Sequence, residues 1–220
     1  MDQDTTRRKG AHVAILEAVR RKEVDILLGT QMVAKGLNFP GVALVGVMQA
    51  DTGLHIPDFR AAERTFQLLA QVAGRAGRTD SLGEVVVQTY LPHDPCIQAV
   101  TAHDYLRFAN KELESRQGLR YPPFCRLARI LVSGTNQNVV WETAHDITAD
   151  VARAGPEELI VLGPAPAVLE RIKGRFRYSI LLKCPSARTL RLSLARLRQQ
   201  KRTTGKDIRV IIDVDPSNML

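Results

Sequence analysis

Cysteine is scarce. Cys96, Cys125 and Cys184 are the three in 220 residues, far apart and without a CxxC pair. That spacing argues against a zinc site or a disulfide framework, fits a reducing cytoplasm, and suits small core residues better than nucleophiles. No stretch reaches the roughly 18 uninterrupted apolar residues that a membrane-spanning helix needs. The opening Met1-Asp2-Gln3-Asp4-Thr5-Thr6-Arg7-Arg8-Lys9 has no hydrophobic segment behind its charges, so it does not read as a secretory leader. No GxxxxGK[ST] loop occurs to cradle a β-phosphate, and no DExH-type acidic motif occurs to hold magnesium. Repeats and low-complexity tracts are also missing.

Acidic charge is in deficit, at 23 residues against 31 basic ones, a formal net charge of +8. The excess suggests a polyanionic partner, nucleic acid first; the alternative is a basic but uninvolved surface. Apolar residues make up 45% of the chain, enough for a real core and too many for general disorder.

Along the first half, helix and strand patterns alternate. Residues 9–21 place Ala11, Ile15, Leu16 and Val19 on one helical face. The run Val24 to Leu28, ending at Gly29, reads as a buried strand, Val42 to Met48 as a second and Glu84 to Tyr90 as a third. Pro57 and Asp58 open a helix with Ala62, Phe66, Leu69 and Val72 at helical spacing. Such alternation predicts a parallel sheet with helices packed on it. Residues 94–118 look helical, and Tyr121-Pro122-Pro123 breaks the pattern.

The remainder reads as strand, helix, strand, strand, helix, strand. Leu127 to Ser133 is followed by a helix with Val140, Ala144, Ile147 and Val151 on one face. Leu159 to Leu162 begins a strand interrupted at Gly163-Pro164, and Arg175 to Lys183 alternates. Leu190, Leu194 and Leu197 mark a helix, and Ile208 to Val214 closes. That order predicts a split βαβ, ferredoxin-like α+β domain.

The sharpest motif is Gln71-Val72-Ala73-Gly74-Arg75-Ala76-Gly77-Arg78, between a helix and a strand. Glycine before each arginine lets backbone come close to a phosphate chain, and a planar guanidinium binds phosphate oxygens in pairs. The bland alternative is a glycine-rich turn with solvated arginines. A second motif, Gly29-Thr30-Gln31-Met32-Val33-Ala34-Lys35-Gly36, follows a strand, where open sheets bind ligands. Its hydroxyl and amide can bond a nucleic-acid backbone; an ordinary capped helix start is the alternative. In the last 50 residues Arg171, Lys173, Arg175 and Arg177 surround one strand, and Arg188, Arg191, Arg196 and Arg198 decorate the helix after it. Paired charges on a sheet face suit phosphates. Phe176 and Tyr178 could stack a base, although their alternation with the arginines suits core positions.

The two glycine motifs together resemble motifs V and VI of superfamily 2 helicases. The spelling of residues 2–10 and 28–36, Asp51, Pro57-Asp58-Phe59-Arg60-Ala61-Ala62-Glu63-Arg64, Tyr121-Pro122-Pro123-Phe124 and Asp213-Val214-Asp215-Pro216 resembles the PriA-type primosomal helicases. The resemblance spans essentially the whole chain. It implies a RecA-like second motor lobe (residues 1–100), a helical connector (101–120) and a basic C-terminal domain (121–220). It implies part of an ATP-dependent 3′-to-5′ DNA helicase that recognises stalled forks and promotes primosome assembly. Arg78 would be the arginine finger and Arg75 a second γ-phosphate contact. Gln71, Gly74, Gly77 and Gly36 would line the nucleotide. Thr30 and Gln31 would touch the DNA backbone or couple it to the ATP cleft, and Asp51, Arg60 and Arg64 would link DNA grip to the ATP site, unless Asp58, Glu63 and Arg64 simply cap and pair within their helix.

Implied partners are forked or single-stranded DNA, single-strand-binding protein and other primosome proteins, with no membrane; DNA and a protein's acidic tail remain alternatives for the basic domain. The implied cofactors are ATP with magnesium, held only with the first lobe, and a zinc site whose cysteine pairs do not occur here. No metal ligand set is expected. Met1 falls inside the family's usual span, and no ATPase activity is expected of the chain alone. A non-catalytic fork-binding module is the alternative.

Overall fold

A computed structural model describes residues 11–30, 42–74, 83–199 and 207–219. The chain divides into two compact units, Met1–Ile56 with Arg60–Lys111, and Pro57–Phe59 with Glu112–Leu220. Among the described residues, no helix is long and apolar enough to cross a membrane.

The first unit opens with helix α1 (Ala11–Arg20), its Leu16 buried. Strands β1 (Leu44–Val47) and β2 (Glu84–Val87) pair in parallel, Leu44 opposite Glu84 and Val47 opposite Val87. Between them come a 3₁₀ turn (Ala50–Gly53) and helix α2 (Ala61–Ala73); helices α3 (Pro95–Thr101) and α4 (Tyr105–Gly118) follow. α3 starts where a sequence reader expects, with Asp94 accepting the Cys96 amide at 2.8 Å and proline at the first helical position. The core gathers Phe66 and Leu69 of α2 with Cys96, Ile97, Ala99 and Val100 of α3 and Phe108 of α4. Phe66 and Phe108 stack with centroids 4.3 Å apart.

Two expectations need correction here. Val24 to Leu28 carries no strand, and Ile26 and Leu28 are 74% and 77% exposed. A short apolar run becomes a strand only when a neighbour completes its hydrogen-bond ladder. Pro57 and Asp58 do not open α2, which begins at Ala61 with Arg60 at the cap position and no side-chain cap. Asp58 instead is buried and accepts the Met219 amide at 3.2 Å, within the second unit.

In the second unit, β3 (Arg126–Gly134), α5 (Gln137–Ala154), β4 (Ile160–Ile172), β5 (Arg175–Cys184), α6 (Ala187–Gln199) and β6 (Arg209–Val214) follow in that order. The four strands form one sheet in the order β4-β5-β3-β6, with antiparallel neighbours. Opposed pairs such as Ile130 with Ile180 and Ala128 with Leu182 point to one face. There they meet Val140, Ala144, Ile147 and Val151 of α5 and Leu190, Leu194 and Leu197 of α6. α5 is set by Asn136, whose side chain accepts the Asn138 and Val139 amides. β4 continues through the glycine-proline break because Gly163, at φ +103°, sits in an irregularity between Leu162 and Ala165. β4 and β5 are joined by Lys173 (φ +50°) and Gly174 (φ +78°), the positive pair that a tight primed hairpin turn requires.

Candidate functional site

In the first unit, parallel pairing brings the carboxyl ends of β1 and β2 side by side, the edge at which open sheets hold ligands. Gln49 turns the chain in the left-handed region at φ +50°. The Gln49 amide donates to the Gln88 side chain at 2.6 Å and the Ala50 amide to the Gln88 carbonyl at 3.0 Å. Asp51, buried, accepts the Thr89 hydroxyl and the Tyr90 amide, the latter at 2.7 Å. The Thr89 hydroxyl first, then the Tyr90 amide, lowers its pKa below the ordinary carboxylate value. Asp51 therefore ties together the two loops that leave the sheet edge. Gly53 is required where the turn approaches α2, because a Cβ there would collide with the Thr65 hydroxyl.

α2 buries Ala61, Thr65, Phe66 and Leu69, which leaves Arg64 and Gln71 exposed and Arg60 half-buried at its start. Gly74 closes the helix, its amide donating to the Ala70 carbonyl at 3.1 Å. Thr30 lies on an exposed bend. Gln31, Gly36, Arg75, Gly77 and Arg78 lie outside the described residues, as does the expected meeting of the Thr30 loop with the two arginines. Of the expected nucleotide set, Gln71 and Gly74 are thus placed, at the solvent end of α2. Among the described residues, no group of three or more His, Cys, Asp or Glu is gathered as a metal would need.

In the second unit, one sheet face is covered by α5 and α6, and the other carries the outward residues of each strand. Arg129, Arg177 and Arg175 lie on that outer face, with Arg209 and Asp213 of β6 on the same side by register. The sequence treats the cations of this region alike; the structure does not. Arg175 bonds the Asp207 carboxylate at 2.6 Å, the Ser133 carbonyl at 3.2 Å and the Asp207 carbonyl. Arg177 donates to the Leu169 carbonyl at 3.0 Å, and burial, then nearby Arg129, lowers its pKa. Arg129 pairs with Asp213 at 3.7 Å.

Arg171 and Lys173 are exposed at the hairpin end, with the Arg171 guanidinium 4.8 Å from the centre of the Phe176 ring. Ile180 and Leu182 are fully buried while Phe176 and Tyr178 are only partly so, and the alternation therefore leads from core to rim. On α6, Arg188, Arg191 and Arg196 are exposed, with Arg196 donating to the Ala154 carbonyl at 3.0 Å; the Arg198 side chain lies outside the described residues. Reasoning on the sequence passed over Arg129 and Asp207. The period-two alternation of β3 signals the first; nothing local signals the second.

Residues 4–80 match the family model of the helicase conserved C-terminal domain. Residues 117–217 match that of the primosomal protein N C-terminal domain. A lobe built on parallel strands, followed by a four-stranded antiparallel domain, is thus of the helicase class, joined to a primosomal module. The chain is 45% identical over 98% of its length to the replication restart protein PriA of Synechocystis, covering 26% of that protein. It is 43% identical over its whole length to that of Bacillus subtilis, covering 28%, and 41% identical over 99% to that of Treponema pallidum, covering 33%. The chain belongs to the PriA family of replication restart proteins, and it spans between a quarter and a third of the length of these relatives.

Proposed function

We propose that this chain supplies the second motor lobe and the fork-binding domain of an ATP-dependent 3′-to-5′ DNA helicase that restarts stalled replication in a bacterial cytoplasm. The observation that carries this reading is the order of two family matches along one chain, helicase C-terminal domain and then primosomal C-terminal domain. On it, residues 1–100 form a RecA-like lobe, 101–120 a connector and 121–220 a ferredoxin-like domain; the strand order β4-β5-β3-β6 supports the last. Arg78 would stabilise charge on the transferring γ-phosphoryl group and Arg75 would assist it. Gln71, Gly36, Gly74 and Gly77 would line the nucleotide. Thr30, Gln31, Arg60 and Arg64 would carry its state to DNA, and Arg171, Lys173, Arg175 and Arg177 would form the basic face of the fork-binding domain. ATP with magnesium would require the first lobe. Single-strand-binding protein and other primosome proteins are proposed partners.

The test is reconstitution. The chain alone should not hydrolyse ATP; adding the first lobe in trans should restore DNA-stimulated hydrolysis, and Arg78→Ala should lower that rate by about a thousandfold or more. Hydrolysis by the chain alone, abolished by Arg78→Ala, would overturn the division of labour. DNA binding without restored hydrolysis would leave a non-catalytic fork-binding module.

A further inference from the structure

Trp141 is the sole tryptophan of the chain and stands near the start of α5, 42% exposed. It sits one position off the buried stripe of Val140, Ala144, Ile147 and Val151, so the core under α5 closes without it. Its ring centre lies 5.4 Å from that of Tyr178, at 59°, and 6.1 Å from that of the exposed His145. The Tyr178 hydroxyl accepts the Gln137 side-chain amide at 3.3 Å, which holds the phenol at the rim. Phe176 shares the face of Tyr178 two residues away, about 6–7 Å along the strand. Arg171 covers Phe176, and Lys173 is exposed at the hairpin tip. The result is one row of planar groups from α5 to the hairpin, with two cations at its far end.

A large ring contributes most when covered, and a half-exposed tryptophan beside other rings leaves π-surface for a partner. Sequence-tolerant binding of single strands combines such rings with a cationic track for the backbone. Glu142 and Asp146 on α5 and Glu170 on the hairpin are exposed and would repel phosphates, which sends a backbone along the Arg171 and Lys173 side. A duplex, its bases already stacked, could use the cations but not the rings. We propose that Arg171, Phe176, Tyr178 and Trp141 form a base-stacking platform for single-stranded DNA, with Arg171 and Lys173 contacting its phosphates. The proposal rests on the reading of the chain as a DNA-binding part of a helicase and adds where, and in which strand form, the C-terminal unit binds.

The sole tryptophan makes the test direct. A labelled oligo(dT) is titrated into the full chain while its anisotropy and the protein's intrinsic fluorescence are followed together. The oligonucleotide should bind and quench Trp141, whereas a blunt duplex at equal phosphate concentration should leave the emission unchanged. Trp141→Ala should weaken oligo(dT) binding roughly five- to a hundredfold, with Trp141→Phe retaining most of the affinity and both variants keeping the parent's circular dichroism. Binding seen by anisotropy without quenching, and equal in Trp141→Ala, overturns the platform and leaves the DNA-binding reading standing. Binding of neither strand form overturns both. Equal quenching by duplex, or quenching only by an acidic peptide, overturns the single-strand assignment.

Discussion

Asp207 accepts the Thr135 amide at 2.6 Å and the Thr135 hydroxyl at 2.7 Å on one oxygen, and Arg175 at 2.6 Å on the other. The amide first, then the hydroxyl and the guanidinium, hold its carboxyl down to about 2. A carboxylate whose folded pKa lies below its unfolded value stabilises the fold above the unfolded value. That stability is lost as pH falls through the folded one. Asp207→Asn should therefore lower the melting temperature of the C-terminal unit at neutral pH, and the deficit against the parent should shrink between about pH 4 and pH 2. A deficit unchanged across that window would show that the carboxylate does not hold Thr135 and Arg175. Asp51 carries the same sign for a different partner set, the Thr89 hydroxyl and the Tyr90 amide. None of this was legible residue by residue, since Arg175 and Asp207 are 32 positions apart.

Among the elements, those with a sustained period were legible, and of the three short apolar runs read as strands in the first half two hold β1 and β2. The α5 stripe of Val140, Ala144, Ile147 and Val151 is buried as its spacing dictates, because a helix can hide one face only. β3 is buried on both faces along most of its length, with Leu127, Ile130 and Val132 fully covered. Ile130→Ala should accordingly cost about 2–5 kcal/mol, measured by urea unfolding. Trp141→Ala on the same domain should cost little, since it opens no cavity. Val24 to Leu28 failed as a strand because four apolar residues interrupted by Asp25 say nothing about whether a ladder partner reaches them. The start of α2 was misplaced for a related reason: Asp58 is a good cap by type, but its carboxylate is engaged by the Met219 amide.

For the chain as a whole, the net charge of +8 correctly announced basic surfaces but not which cations remain available. If phosphate contacts drive DNA binding, log K should fall linearly with log salt, by about 0.7 per phosphate contacted on a single strand. The double variant Arg171→Ala/Lys173→Ala should flatten that slope by about 1.4. Arg175→Ala should in addition lower stability, because its guanidinium is engaged by Asp207 and Ser133. A slope unchanged in the double variant would move the phosphate track elsewhere on the surface.

Periodicity and spelling settled the element order of the C-terminal unit, the buried stripes of α5 and α6 and the family, because each depends on residues close together in the chain. The availability of a charge depends on what packs beside it. Arg171 and Arg175 read alike in the sequence, yet one lies exposed over a ring while the other is held by a carboxylate and two carbonyls. Those partners are brought from other strands and loops by the folded sheet, and spacing along the chain carries no record of them.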